Sequence, residues 1–302
     1  MKILLLGGNG QVGWELQRAL APLGELVSLG SVASHNPGGL CGNFADLSGL
    51  TQTIRVVRPD VIVNAAAHTA VDKAESEPEL AHLINALAPE VLAQEARHLN
   101  AWLIHYSTDY VFNGKGESAW TETDHTEPLS VYGKTKLEGE QRIAAHHAKH
   151  LIFRTSWVYG ARGGNFAKTM LRLAAERERL KVINDQFGAP TSAELLADVT
   201  AHAIRALPNH PEYAGLYHCV ASGETTWHGY ARYILATAHA LGVTLKAGAD
   251  QVDPTDTSSF PTAAQRPLNS RLNTNKLQKA FGLTLPHWQT GVRRMLTEIS
   301  GK

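Results

Sequence analysis

Short apolar runs alternate with longer segments of helical character through the first half of the chain. The runs are predicted to be buried strands of a parallel sheet, because strands covered on both faces carry few polar positions. They comprise residues 2–6, 25–29, 61–63, 102–106 and 151–154. The alternation predicts an α/β fold of the Rossmann type, with a doubly wound parallel sheet. Ligands of such sheets bind at the carboxyl ends of the strands, so the residues that follow each run are candidates for a site.

A glycine-rich turn follows the first predicted strand. Gly7, Gly10 and Gly13 are spaced three residues apart, and a helical pattern begins within the turn. A strand, a glycine turn and a helix in this order are the context that a dinucleotide-binding fingerprint requires. Glycine lets the backbone approach a pyrophosphate, and the helix start offers it free N–H groups. We therefore expect Gly7, Gly10, Gln11, Val12 and Gly13 to contact a dinucleotide. A tight turn that binds nothing is the alternative.

The second predicted strand ends without a charged residue. Gly30 and Ser31 stand where a carboxylate for an adenosine ribose, or a cation for a 2′-phosphate, would be expected. The choice between NADH and NADPH therefore stays open. Asn43 and Phe44 follow the next loop, and we expect them to border the adenine. Ordinary loop packing is the alternative for this pair.

Tyr132 and Lys136 are four residues apart in a predicted helix. Positions i and i+4 share a helix face, so both side chains can point into one cleft. A phenol has an ordinary pKa of about 10, and a nearby ammonium favours the phenolate. We therefore predict that Lys136 lowers the pKa of Tyr132, which acts as proton donor in a hydride-transfer reaction. The spacing alone is weak, and an exposed helix face is the alternative without the glycine turn.

Two other predicted strands end in polar or aromatic residues. Thr108 and Asp109 follow the strand at residues 102–106, and Trp157 follows the strand at residues 151–154. We expect Thr108 to hydrogen-bond a substrate oxygen as it becomes negative, Asp109 to bind a substrate hydroxyl, and Trp157 to contact the substrate. A local backbone cap, a turn residue and core packing are the respective alternatives.

The strand at residues 61–63 is followed by small residues and a histidine. Ala67, His68 and Thr69 end this segment. Small side chains would let a dinucleotide lie against the backbone, so we expect all three residues to contact the cofactor. For His68, an ordinary loop histidine is an equal alternative.

The pattern changes beyond about residue 160. A polar loop at residues 184–191 and a segment rich in Pro, Thr and Ser at residues 250–271 indicate insertions over the sheet. We expect residues 1–160 to form mainly an NAD(P)-binding Rossmann domain. Residues 161–302 would form mainly a smaller substrate-binding lobe, with some segments returning to the first domain.

Composition narrows the partners and the location. The chain has 28 basic and 28 acidic residues and no basic stripe, which argues against nucleic acid. No apolar run has the length of a membrane span, and the N-terminus carries no cleavable signal. Cys41 and Cys219 do not make a disulfide framework. The sequence therefore predicts a cytoplasmic protein that binds neither nucleic acid nor membranes.

Three motifs together resemble the extended short-chain dehydrogenases/reductases. They are the glycine turn, residues 107–112 and the pair Tyr132 and Lys136. Residues 64–72, 154–159 and 184–188 are similar to motifs of one family within that superfamily, the dTDP-4-dehydrorhamnose reductases. The resemblance covers nearly the whole chain. It implies reduction of the 4-keto group of dTDP-4-dehydro-L-rhamnose to dTDP-L-rhamnose with NADPH or NADH.

The resemblance also implies a homodimer bridged by Mg²⁺, with Glu15, Glu194 and Glu298 at the positions that match the metal ligands. A nucleotide-sugar substrate carries a diphosphate, which needs cations or N–H donors. The candidates are Lys168, Arg266 and Arg271, and each is equally a solvated surface charge.

Two other functions stay open. One is a nucleotide-sugar epimerase or dehydratase, although a dehydratase needs a carboxylate pair beside Thr108, and Asp109 is followed by Tyr110. The other is a non-catalytic NADP-binding regulatory subunit, like that of methionine adenosyltransferase. The intact set of Thr108, Tyr132 and Lys136 argues against that role.

Overall fold

The computed structural model of the chain describes residues 1–301, in which strands and helices alternate through most of the first half. The strands are β1 (Lys2–Leu6), β2 (Glu25–Leu29), β3 (Val61–Asn64), β4 (Trp102–Thr108), β5 (His150–Thr155), β6 (Val158–Tyr159), β7 (Leu180–Ile183), β8 (Phe187–Gly188), β9 (Thr191–Ser192), β10 (Gly215–His218), β11 (Thr225–Thr226) and β12 (Val252–Thr255). The α-helices are α1 (Gln11–Leu20), α2 (Leu47–Val57), α3 (Val71–Ser76), α4 (Pro78–His82), α5 (Ala88–Leu99), α6 (Val131–His146), α7 (Phe166–Glu176), α8 (Ala193–Ala206), α9 (Trp227–Ala240), α10 (Asn275–Phe281) and α11 (Trp288–Ile299).

The main sheet has six parallel strands in the order β2-β1-β3-β4-β5-β10. The chain places β2 on one side of β1 and β3 on the other, so the direction of strand addition reverses between β1 and β3. Ligand clefts form outside the carboxyl ends of the strands at such a switch point. The predicted α/β fold with a doubly wound parallel sheet is confirmed.

Helices cover both faces of this sheet, and β1 shows why its sequence is apolar throughout. Ile3 and Leu5 pack in a cluster with residues of α1 and α8. Leu4 and Leu6 pack on the opposite face with residues of α2 and α5. Side chains of a strand alternate between faces, so both sets of positions must be apolar when both faces are covered. Burying one such side chain fully contributes about 1.5–3 kcal/mol.

The second half of the chain forms three small strand pairs and a core of its own. The pairs are β7 with β12, β8 with β11 and β6 with β9. Residues of α7, α9 and α11 pack around Tyr230 and Trp288 in a separate apolar cluster. Two later elements return to the first half, since β10 pairs with β5 and α8 packs against α1. The division of the chain at residue 160 stays a prediction.

Among residues 1–301, no helix has both the length and the apolar character that a membrane crossing requires.

Candidate active site

The glycine turn lies at the switch point, between β1 and α1. Gly7 has φ +84°, and a Cβ on Gly13 would lie 2.0 Å from the carbonyl oxygen of Gly7. The turn is therefore closed by contacts that only glycine allows. Gly10 precedes α1, and no side chain caps the N–H groups at the start of the helix. These free donors, with no side chain at Gly10, fit a pyrophosphate group.

A cleft of about 630 Å³ runs from this turn across the ends of β3, β4 and β5. Nearly all residues that the sequence proposes for the cofactor and the substrate line it. They are Gly7, Gly10, Gln11, Val12, Asn43, Phe44, Ala67, Thr69, Thr108, Asp109, Tyr132, Lys136 and Trp157. The structure thus brings the predicted nucleotide end and the predicted reaction end together in one space.

Two of the predicted cofactor contacts do not line the cleft. Gly13 lies behind the turn, where it packs against the carbonyl of Gly7. The backbone N–H and carbonyl of His68 are bonded to the side-chain amide of Asn85, at 2.8 and 3.1 Å. The His68 ring lies 3.5 Å from Glu77. Close backbone packing places Gly13 behind the turn, and the Asn85 side chain holds the backbone of His68. Contact of these two residues with a cofactor stays a prediction.

The adenosine end of the cleft is formed by backbone and small polar groups. Gly30 and Ser31 line it. The side chain of Asn36 bonds both the N–H and the carbonyl of Gly30, at 2.8 and 3.0 Å. A Cβ at Gly30 would lie 2.3 Å from the side-chain nitrogen of Asn9, so a larger residue there would displace Asn9.

Helix α6 carries Tyr132 and begins at a capped residue. The Ser130 hydroxyl accepts the N–H of Gly133 at 3.1 Å. A Cβ at Gly133 would lie 2.3 Å from the carbonyl oxygen of Tyr110, so the first turn of α6 lies directly against the segment that follows β4. This close approach places Tyr132 beside Thr108.

Thr108, the last residue of β4, and Asp109, which follows it, are both buried. The Thr108 hydroxyl donates to Asp109 Oδ1 at 3.0 Å and accepts the N–H of Tyr110 at 3.2 Å. The backbone cap that the sequence offers as the alternative for Thr108 is therefore present. Burial raises the pKa of Asp109 to about 6, although hydrogen bonds from Ser270 and Thr108 oppose the shift. The second oxygen of Asp109 is buried and has no hydrogen-bond partner in the described structure.

The phenol of Tyr132 is the proton donor that the sequence proposes. Burial raises its pKa to about 12; a hydrogen bond with Thr108 lowers it, and the charge of Asp109 raises it. The predicted lowering of this pKa by Lys136 is wrong. The Lys136 ammonium donates instead to the carbonyl of Tyr106 at 2.6 Å and lies 3.1 Å from His105 Nε2. Its own pKa falls to about 8, mainly through burial.

Trp157 forms a wall of the cleft in a strained backbone conformation. Its φ is +50°, which is rare for a residue with a large side chain. Its ring stacks on Trp227, with centroids 3.7 Å apart, and a Cβ at Gly188 would lie 2.8 Å from it. Strained residues cluster at ligand sites, and both Trp157 and Trp227 line the cleft.

Sequence reasoning assigned no role to two polar residues next to Lys136. Asn64 ends β3, and His105 lies within β4 at 1% exposure. The parallel register sets these two residues opposite each other, and their side chains are 2.9 Å apart. A polar residue at the end of one apolar strand and another inside the next strand are the signals that could have found them.

The predicted metal ligands lie near one another at the surface. Burial raises the pKa of Glu15; Arg18 lowers it, and the charges of Glu194 and Glu298 raise it. Arg18 and Arg294 form ion pairs with Glu15 and Glu194. Within residues 1–301, no group of three His, Cys, Asp or Glu residues has the arrangement of a metal site.

The predicted cations for a diphosphate each have partners. Arg266 forms an ion pair with Asp72 at 2.6 Å. Arg271 forms one with Glu224 at 2.7 Å, and Lys168 donates to backbone carbonyls of the loop before α7. Arg266 alone among the three borders a cavity next to the cleft.

An extended short-chain dehydrogenase/reductase, an NAD(P)-dependent oxidoreductase, is the class of protein that this fold and this site define. Residues 1–300 match the family model described as RmlD substrate binding domain. The chain belongs to this family. The sequence-based assignment to an oxidoreductase family is thereby confirmed.

Curated and solved relatives cover the chain from end to end. The dTDP-4-dehydrorhamnose reductase of Shigella flexneri is 60% identical to it, over 99% of this chain and 98% of the relative. A crystal structure of a dTDP-4-dehydrorhamnose reductase from Clostridium acetobutylicum is 34% identical, with a TM-score of 0.87, and covers 99% of this chain and 100% of that chain. One from Bacillus anthracis, in complex with NADP, is 34% identical with a TM-score of 0.86, and covers 98% and 99% of the two chains.

Proposed function

We propose that this chain reduces the 4-keto group of dTDP-4-dehydro-L-rhamnose to dTDP-L-rhamnose. One observation carries the proposal: Thr108, Tyr132 and Lys136 stand at one end of a cleft whose other end is the glycine turn. The full-length similarity to curated reductases supports the choice of substrate.

The cleft residues fit a dinucleotide. Gly7, Gly10 and the start of α1 would hold the pyrophosphate, because free N–H groups and missing side chains meet there. Asn43 and Phe44 would border the adenine, and Ala67 and Thr69 the middle of the dinucleotide. When bound, NADPH or NADH supplies the hydride. Gly30 and Ser31 carry no charge that would repel a 2′-phosphate or select for one, which supports use of both forms.

Tyr132 supplies the proton in this proposal. A pKa of about 12 keeps the phenol protonated at neutral pH, so it is ready to donate to an alkoxide. Thr108 would turn its hydroxyl proton from Asp109 to the substrate oxygen as negative charge develops there. Asp109 would bind a substrate hydroxyl through its second, unpartnered oxygen. Lys136 would hold the dinucleotide ribose and restore the proton of Tyr132.

The substrate would extend into a second cavity of about 370 Å³ beside the cleft. Tyr110 and Trp227 border both spaces, so the two cavities adjoin each other. Phe166 and Trp227 offer aromatic surface for a base, and Arg266 offers a cation for the diphosphate. Arg266 is now bound to Asp72 and would exchange this partner for the diphosphate.

We further propose a homodimer with Mg²⁺ at Glu15, Glu194 and Glu298, since the charges of Glu194 and Glu298 act on the Glu15 carboxyl and a cation would offset this repulsion. We also propose a cytoplasmic location and no binding of nucleic acid. Balanced charge and two unpaired cysteines support these points.

The test is an assay with dTDP-4-dehydro-L-rhamnose that follows the absorbance of NADPH. Consumption of NADPH with formation of dTDP-L-rhamnose is expected, and Tyr132→Phe should abolish most of it. Purified protein that retains stoichiometric NAD through gel filtration would favour an epimerase. Binding of NADPH without turnover would favour a regulatory role.

A further inference from the structure

Lys136 is the last member of a buried row of three polar side chains. Asn64, His105 and Lys136 are each at most 2% exposed. Asn64 Nδ2 lies 2.9 Å from His105 Nδ1, and His105 Nε2 lies 3.1 Å from Lys136 Nζ. Asn64 belongs to β3, His105 to β4 and Lys136 to α6, so the row connects three elements of the fold.

The orientation of the Asn64 amide is fixed by its own loop. Asn64 Oδ1 accepts the N–H of Ala66 at 3.0 Å, which leaves the Asn64 NH₂ group to face His105. Because an NH₂ group can only donate, His105 Nδ1 must accept. A neutral imidazole that accepts at Nδ1 carries its proton on Nε2.

That proton points at Lys136. An ammonium has three donors and no acceptor, whereas a neutral amine has a lone pair that can accept. The His105 Nε2–H therefore opposes the ammonium form of Lys136 and forms a hydrogen bond with the amine form. The Tyr106 carbonyl accepts an N–H of Lys136 in either form.

We propose that Asn64 fixes the tautomer of His105, and that His105 in this tautomer favours the amine form of Lys136. Both are positioning residues that act through Lys136. Under the proposed function, on which this last step rests, Lys136 is thereby poised to pass a proton to the Tyr132 phenolate. In that transfer an Nζ–H bond breaks, an O–H bond forms, and the resulting amine accepts from His105.

The other charged and titratable groups around the row are consistent with this arrangement. The charge of Glu140, on α6, raises the pKa of Lys136, but burial outweighs it. Glu140 is itself bound by Arg154 of β5 through two hydrogen bonds. Burial lowers the pKa of His105 strongly, and Lys136 and His150 lower it further, so the imidazole is neutral as the tautomer argument requires. Asp109 and Tyr132 lie beyond Lys136, at the cleft.

The test replaces the donor of Asn64 by an acceptor of the same shape. In Asn64→Asp, one carboxylate oxygen still accepts from Ala66, while the other accepts from His105 Nδ1. His105 Nε2 then becomes an acceptor for the Lys136 ammonium. We expect ¹⁵N NMR of histidine-labelled protein to show Nε2–H for His105 in the natural chain and Nδ1–H in the variant. The signals are assigned by their loss in His105→Gln.

The pH profile of kcat provides the second readout. An added carboxylate and a matching acceptor should raise the pKa of Lys136, and the limb of the profile that reports it should move up by about one to three pH units. Asn85→Asp is the matched control. Asn85 is also 1% exposed and bonds Thr135 of α6, but none of its side-chain hydrogen bonds involves His105. This variant should leave the tautomer unchanged and shift the profile less.

Three results would overturn the inference: an Nδ1–H tautomer in the natural chain, an unchanged tautomer in Asn64→Asp, or an equal pH shift in Asn85→Asp. The tautomer of the natural chain decides the matter even where a variant folds poorly. It is measured without substrate, so a protein inactive on the proposed sugar would overturn the proposed function and leave this inference to the NMR result.

Discussion

The two ends of the cleft are built in different ways. At the glycine end, Gly7, Gly10 and the free N–H groups of α1 leave space and backbone donors, and no charged side chain takes part. At the reaction end, Asp109 and Lys136 are buried, Tyr132 is partly buried, and the pKa values of all three are shifted. The properties of the first end come from open space beside the backbone. Those of the second end come from the protonation states of its side chains.

This difference predicts how each end responds to mutation. Changes at the glycine end should alter binding or the turn itself and leave the pH dependence unchanged. Changes at the reaction end should alter turnover, pH dependence or the stability of buried charges. The predictions below test this separation, beginning with the largest expected effect.

Tyr132→Phe should lower kcat by about 10²–10⁴-fold, the usual contribution of general acid catalysis. The ring remains and keeps its edge-on contact with Tyr110, at 5.5 Å between centroids. NADPH affinity, measured by fluorescence titration, should stay within about twofold of the natural value, because only the proton donor is removed. A variant with nearly full kcat would show that another group donates the proton.

Glu140→Gln should destabilise the protein by about 3–5 kcal/mol, because it leaves Arg154 as a buried charge without its partner. The two side chains are 6% and 4% exposed. Glu138 lies on the same helix, but its side chain is 37% exposed, so Glu138→Gln should cost less than about 1 kcal/mol. Denaturant unfolding of both variants measures the difference. An equal loss of unfolding free energy in both variants would contradict the view that Arg154 needs Glu140 as its buried partner.

Asp109→Asn should change how stability depends on pH. The folded-state pKa of Asp109 is raised from 3.8 to about 6. The folded protein therefore binds this proton more tightly than the unfolded chain does, and stability falls as the pH rises from about 4 through 6. In the variant, the free energy of unfolding should decrease over this pH range by up to about 3 kcal/mol less than in the natural chain.

Urea unfolding of Asp109→Asn at pH 4 and pH 7 measures that change. Asp124→Asn, at an exposed loop carboxyl, is the control and should leave the pH dependence as it is. A variant that keeps the full fall in stability at position 109 would contradict the shifted pKa.

Gly10→Ala should weaken NADPH binding about tenfold, or about 1.4 kcal/mol, with little change in unfolding. Gly10 has φ −74° and ψ 170°, which any residue can adopt, and its Cβ would meet nothing closer than 3.4 Å. The added methyl group would occupy only the space of the dinucleotide. Gly13→Ala is the contrast, since its Cβ would lie 2.0 Å from the Gly7 carbonyl. It should unfold at lower denaturant. Loss of stability in Gly10→Ala, or weaker NADPH binding without loss of stability in Gly13→Ala, would contradict this assignment.

The sequence predicts those parts of the site that lie within a single continuous segment. Gly7, Gly10, Tyr132 and Lys136 belong to motifs whose spacing carries the geometry, because a turn or one helix face fixes their positions. All four line the same cleft. The parallel sheet follows in the same way from apolar runs that alternate with helices.

The other features of the site depend on strand register and burial, which cannot be read from a local sequence pattern. Asn64 and His105 are 41 residues apart and meet because β3 pairs with β4 in one particular register. The pKa of Tyr132 could not be predicted because burial dominates it. Lys136 is drawn to the carbonyl of Tyr106, which no spacing rule would indicate. For His68, the backbone contacts with Asn85 come from a segment 17 residues later.

The place of β10 at the edge of the main sheet has a consequence for synthesis of the chain. The five strands that precede it in the sheet lie within residues 2–155, whereas β10 comes from residues 215–218. Until those residues have been synthesised, β5 has an unpaired row of N–H and C=O groups along one edge. Such an edge promotes aggregation. A fragment that stops near residue 160 would keep that edge permanently. Expression of residues 1–160 alone therefore needs a replacement for this late strand.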